Sequence, residues 1–164
     1  MTALSSYTPI ATQTLASGTT SVTFNSFSGY TDLVLVIYAK FTSTSANPRI
    51  QFNGDASAIY SGTFVYGSTT TSGSYRLSGY SHIYLSGGAE STTIHPVYIV
   101  NFQNYANTTA FKSILTKNAT AGRQVMPSSG IYRSTNAITS MILYATAGNF
   151  DTGSTFTLYG ITAA

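Results

Sequence analysis

The 164 residues fit one domain, and a chain of that size buries roughly 70% of its surface, enough for a sizeable core without the disulfides or thiolate metal sites that the absence of cysteine rules out. Charged residues make up 7% of the chain, against about 25% in ordinary soluble proteins. The formal charge of +3 comes from scattered cations facing Asp32, Asp55, Glu90 and Asp151. That is no clustered basic footprint for nucleic acid, and no run approaches the roughly 18 apolar residues of a membrane span.

Taken in chain order, the periodicity is that of strands. "TPIATQTL" (8–15) and "SVTF" (21–24) come first, followed by "LVLVIY" (33–38), which is apolar at every position and reads as an interior strand covered on both faces. "RIQFN" (49–53) alternates Ile50 and Phe52 against Arg49, Gln51 and Asn53. Next, "FNGD" reads as a hairpin turn, because Asn53-Gly54 supplies two residues that tolerate positive φ. "AIYSGTFVY" (58–66) follows as a strand. The tract "YGSTTTSGSYRLSGYS" (66–81) reads as a long ordered loop at the edge of a sandwich. Its Tyr66, Tyr75 and Tyr80 are either contact residues, with Arg76 among them, or side chains packed on the loop's own base.

"SHIYLS" (81–86), "IHPVYIVNF" (94–102), "AFKSILT" (110–116), "GIYR" (130–133), "AITSMILYA" (137–145) and "STFTLYGI" (154–161) complete ten or eleven strands separated by turn residues. The expected fold is all-β: a single-domain antiparallel β-sandwich over 1–164, jelly-roll-like, with a short N-terminal segment (1–9) able to lie extended. That segment carries Tyr7 and is free to pair with a neighbour's sheet edge. In the last strand Phe156 and Leu158 turn one way, Tyr159 and Ile161 the other, so both of its faces are expected to be covered.

Catalytic patterns find little support. Asp151-Thr152-Gly153-Ser154 matches the carboxylate tetrad of aspartic proteases, which need two such carboxylates about 3 Å apart. It lies between two strand-like runs amid Gly148, Asn149 and Gly153, so it reads as a connecting loop. The thirteen residues that follow Asp151 are too few to complete such a site. His82 and His95 lack metal-ligand spacing. Asn53 and Asp55 resemble half a calcium site with no third carboxylate following. Asp55 and Glu90 lie in turns, and no acid pair, nucleophile elbow or triad can be assigned. The chain is expected to be no enzyme and to use no cofactor.

"FNGDASAIY", "NYANTTAFKSI" and above all "GIYRSTNAITSMILYATAGNFDTGSTFTLYGI" resemble a group of small virion proteins of tailed bacteriophages, and the likeness begins at the first strand, "IATQTLASGTTSVTF". The resemblance implies an all-β structural component of the particle. One form is a capsid decoration, or cement, protein that binds the major capsid protein, assembled as a homo-oligomer, for example a trimer, near local symmetry axes. The alternative is a tail-fibre or receptor-binding module that recognises a host glycan. A low-charge surface rich in Thr and Tyr suits either role, since unpaired charges are costly to bury against neighbours. The expected contacts are Tyr7, Tyr66, Tyr75, Arg76 and Tyr80.

Overall fold

A computed structural model describes residues 7–86 and 92–162. It contains twelve strands, all pairing antiparallel: β1 (Thr8–Thr14), β2 (Ser21–Asn25), β3 (Asp32–Tyr38), β4 (Pro48–Phe52), β5 (Tyr60–Ser68), β6 (Ser72–Tyr80), β7 (Ile83–Tyr84), β8 (Val97–Gln103), β9 (Lys112–Thr120), β10 (Gln124–Tyr132), β11 (Ser140–Ala145) and β12 (Thr155–Ile161). They form an eight-stranded sheet, β1-β12-β3-β8-β9-β10-β5-β6, and a four-stranded sheet, β2-β11-β4-β7.

The order identifies a jelly roll with two insertions. Without the pairs β5–β6 and β9–β10, the remaining strands alternate between two four-stranded sheets, β1-β12-β3-β8 and β2-β11-β4-β7, except at the step from β4 to its neighbour β7. That alternation is the double Greek key of a jelly roll. The two inserted pairs join each other through β10 and β5. They extend the large sheet by four strands beyond β8, past the width that the small sheet matches strand for strand.

Burial follows the strand period of two. Val22, Phe24, Ile50, Phe52, Met141 and Leu143 of the small sheet pack against Leu33, Leu35, Ile37, Tyr98, Val100, Phe102, Phe156 and Leu158 of the large one. At about 25 cal/mol per Å² of apolar surface removed from water, these side chains are the main source of stability. Two glycines allow close approach. A Cβ on Gly160 would lie 2.2 Å from the Tyr30 ring, and one on Gly130 would lie 2.8 Å from Ile83 Cδ1. Tyr30 therefore caps β12, and Ile83 seats β7 on β10.

Several expectations change. Residues 66–81 are not a loop: Tyr66 to Ser68 end β5, Ser72–Tyr80 is β6, and only 69–71 lie between them. Asn53 and Gly54 do adopt positive φ, 53° and 67°, closed by the Asp55 N–H on the Phe52 carbonyl at 2.8 Å. The turn joins no hairpin, however. β4 belongs to the small sheet and β5 to the large one, so the chain changes sheets there. Aromatic hydroxyls hold that corner: Tyr60 donates to the Asp55 carbonyl at 2.9 Å, and Tyr132 donates to the Asp55 carboxylate at 3.0 Å. In β3, Val34 is buried, Val36 half-buried and Tyr38 exposed, so its outer side is covered only near its start. The outward Tyr159 and Ile161 of β12 are half-buried.

Candidate functional site

The inward face of the large sheet changes character past β8. One cross-strand row runs Phe156, Ile37, Tyr98, Asn118, Met126; the register then places Tyr66 opposite Met126, and Tyr66 pairs with Gly73. The next row runs Leu158, Leu35, Val100, Thr116, Ser128, Phe64, Tyr75. Apart from Tyr98 on the near side and Phe64 on the far side, aliphatic and Phe side chains give way to Thr, Ser, Asn, Met and Tyr along the same rows.

Tyr66, Tyr75, Gln124 and Met126 line a cavity of about 190 Å³ at the outer end of this face. Tyr75 stacks on Phe64, with ring centroids 4.7 Å apart and planes 9° from parallel, and the Tyr66 ring is 6.3 Å from Tyr75. A Cβ on Gly73 would fall 2.9 Å from the Tyr66 hydroxyl, so Gly73 leaves the floor on which that ring lies. Burial raises the Tyr75 phenol above its ordinary pKa, which keeps it a neutral hydrogen-bonding group.

Beside the cavity sits a cluster of unmet polar groups. Asn118 is 2% exposed. Both of its amide atoms lack a hydrogen-bond partner, as do Thr120 Oγ1 and Gln124 Nε2. Thr120 and Gln124 face each other across β9 and β10, next to the Asn118–Met126 pair. A buried polar group left unpaired costs about 1–3 kcal/mol, so three neighbouring ones mark a place where packing alone did not choose the residues.

The outward face of the same strands is different again. Val97, Ile99, Leu115, Val125 and Ile131 are 39% to 61% exposed. The register places Val97, Ala119 and Val125 in one row and Ile99, Lys117 and Pro127 in the next. Strands β5, β6, β8, β9 and β10 contain no acidic residue, while Lys117 and Arg76 sit at outward positions. Arg133 borders the face, donating to Ser61 Oγ at 2.8 Å and to the Ala58 carbonyl at 3.1 Å. The result is an apolar surface with one cation, Lys117, in its midst and Arg76 and Arg133 at its border.

The expected contact residues do not form one site. Tyr66 and Tyr75 come together. Arg76 is exposed on the opposite face, opposite Thr63. Tyr80 packs edge-on to Tyr84, 5.2 Å between centroids, beside His82. Tyr7 is exposed and meets Tyr159 near β1. β1 and β6 are opposite edges of the sheet, roughly 30 Å apart at the usual strand spacing. Residues 1–6 of the N-terminal segment and Glu90 lie outside the described residues. Reading 66–81 as a loop concealed Met126, Gln124 and Asn118, whose nearness to Tyr66 depends on the β10–β5 pairing of two distant insertions.

The other motifs serve the framework. Asp151 lies in the turn between β11 and β12: its N–H donates to the Lys40 carbonyl at 2.9 Å, its carboxylate accepts the Thr152 N–H at 2.8 Å, and Gly153 has φ 81°. Asn53 Oδ1 accepts the N–H groups of Thr139 and Ser140, and the Asp55 carboxylate accepts from Ser57 and Tyr132. Both side chains latch loops. Lys112 is 1% exposed and donates to the carbonyls of Ala110, Ser134 and Thr135, and burial lowers its pKa. His95 Nδ1 is 3.1 Å from the Tyr38 hydroxyl.

His82 is part of an aromatic cluster at β7. Arg49 donates to its Nε2 at 2.7 Å, which requires that nitrogen to be unprotonated and leaves Nδ1–H facing Ser81 Oγ at 3.1 Å. Burial, and then the Arg49 charge, push its pKa down to about 4. The Arg49 guanidinium also lies 4.2 Å from the Tyr84 ring centroid. Its role is structural, holding β7 to β4.

No protein-family model matches the sequence, and no curated protein matches it. Solved structures similar to it include the exo-inulinase of Aspergillus awamori, at 12% identity and a TM-score of 0.46 over 94% of this chain and 29% of that one. The chain therefore spans under a third of the inulinase. The Caenorhabditis elegans galectin LEC-6 aligns over 91% of this chain and 95% of its own, at 12% identity and a TM-score of 0.35. The alginate lyase Aly36B aligns over 93% and 80%, at 9% identity and a TM-score of 0.31. At these scores the fold assignment rests on the strand order itself.

Proposed function

We propose that this chain is a non-catalytic structural protein of a tailed-phage particle, a capsid decoration protein that docks on the major capsid protein through the outward face of its large sheet and assembles as a homo-oligomer. The observation that carries the reading is the exposed apolar face: Val97, Ile99, Leu115, Val125 and Ile131 lie on three adjacent strands with no covering layer among the described residues. A contiguous exposed apolar patch is the mark of an interaction surface. Lys117 within the face and Arg76 and Arg133 at its border suit a partner surface bearing carboxylates. The resemblance over 130–161 supports the choice of particle, and the exposed face supports the proposed way of joining it.

The test is a particle assembled with and without the protein. Particles lacking it should release their genome at a lower temperature than complete ones, and equal resistance argues against cementing. Copy number per particle separates the alternatives. A number on the scale of the capsid subunits supports decoration, and a few copies support the tail-tip reading. Ile99→Asp with Val125→Asp should abolish binding to the particle while the isolated protein stays folded.

A further inference from the structure

We propose that the cavity between Tyr66, Tyr75, Gln124 and Met126 is a binding site for a neutral saccharide, separate from the outward docking face and independent of where the protein sits in a particle. Three observations on different residues converge on that ligand class. The first is ring geometry. Tyr75 is fixed by its stack on Phe64, and the Tyr66 ring lies beside it over Gly73, so one aromatic side chain is held in place before any ligand arrives, which limits the ordering cost of binding. Sugar rings carry apolar C–H faces that pack on such rings.

The second observation is the state of the amides. Gln124 lines the cavity with Nε2 unpaired, and Thr120 Oγ1 next to it is unpaired and buried. Behind Met126 in the same row stands Asn118, with donor and acceptor both unmet. An amide with both halves free wants a ligand offering an acceptor and a donor close together, and a pair of adjacent hydroxyls does that. Met126 is the adaptable wall between cavity and Asn118, since its unbranched side chain can repack to admit a hydroxyl.

Charge is the third. None of the four residues lining the cavity is ionisable at neutral pH, and Tyr75 is held further from ionisation by burial. A phosphate, carboxylate or amine would meet no counter-charge among them. The volume, about 190 Å³, lies below the roughly 300–1,000 Å³ of drug-sized pockets and suits a single sugar ring.

The experiment is titration of the intact protein with galactose, glucose, mannose, N-acetylglucosamine and lactose, followed by calorimetry and amide chemical shifts. At least one should bind saturably in the millimolar range, with shifts centred on Gln124 and Met126. Tyr75→Ala should weaken that binding at least tenfold, about 1.4 kcal/mol. Gln124→Ala, on a half-buried side chain whose loss leaves the fold intact, should also weaken it. Arg76→Ala, on the opposite face of β6, and Tyr7→Ala, at the other edge of the sheet, should leave it unchanged. No saturable binding by any of the five sugars, or full retention in both Tyr75→Ala and Gln124→Ala, overturns the proposal.

Discussion

The two halves of the large sheet use one backbone for different ends. In the half made of β1, β12, β3 and β8, inward positions hold Phe156, Leu158, Leu35, Ile37 and Val100, all sealed by the small sheet. In the half made of β9, β10, β5 and β6, positions in the same rows hold Thr116, Asn118, Met126, Tyr66 and Tyr75. The strand pairing, twist and period are shared, so the difference lies in what covers each half. Where a second sheet lies above, volume and apolarity decide the residue. Past β7, which seats Ile83 on Gly130, no further strand of the small sheet lies above among the described residues, and polar and aromatic groups take over even where Thr116, Asn118 and Met126 stay buried.

Truncation separates the halves most sharply. Phe156→Ala should cost about 3–5 kcal/mol and Leu35→Ala about 2–5, because each empties a sealed site. Tyr66→Ala, at the open end, should cost about 1 kcal/mol, measurable by urea unfolding. Equal losses in both halves would break the comparison. The glycines repeat the contrast at smaller scale. Gly160→Ala drives a Cβ into the Tyr30 ring at 2.2 Å and should cost about 1–3 kcal/mol. Tyr30→Ala beside it should relieve part of that loss, a coupling visible in a double-mutant cycle. Gly73→Ala meets the free end of Tyr66, which can swing into the open, and should cost less.

Acid should act at the border between the halves, where His82 holds β7. Its folded pKa of about 4 lies below the ordinary 6.5, so between those values the unfolded chain binds the proton and the folded chain does not. Stability should then fall as the pH drops from about 6.5 toward 4, and flatten below. The slope is bounded at about 1.4 kcal/mol per pH unit for one proton. His82→Gln should flatten this dependence in thermal melts across that range. The smallest stability effect belongs to the outward face: Val125→Ser should stay within about 0.5 kcal/mol while weakening attachment to the particle.

Alternation and turn chemistry made eleven of the strands legible, and the jelly-roll class with them. β6 was not, because Ser72, Gly73, Ser74, Ser78 and Gly79 give an edge strand the composition of a loop. Its own inward residues are only half-buried, so its alternation of Tyr75 and Leu77 is faint. The first half of β10 was hidden by Pro127 and two serines. Pro127 is tolerated because the β10–β5 ladder skips Met126 and Pro127 while keeping its register. Asn53-Gly54 specified its own dihedrals but not its destination, since a tight turn can serve a sheet crossing as well as a hairpin. Tyr66 and Tyr75 could be singled out by residue type. Asn118 could not, because only the pairing of two insertions places it in the same row as Tyr66.

The stability of Asn118→Leu tests the division of the sheet most directly. Leucine keeps the branched shape and the number of side-chain heavy atoms and removes a buried amide with no partner. If the far half carries its polar groups for a ligand, the variant should melt at the same temperature or a few degrees higher, about 1 kcal/mol of gain, and should lose saccharide binding. A melting temperature lowered by several degrees would show that Asn118 belongs to the folded core's own hydrogen bonding, and would contradict the account.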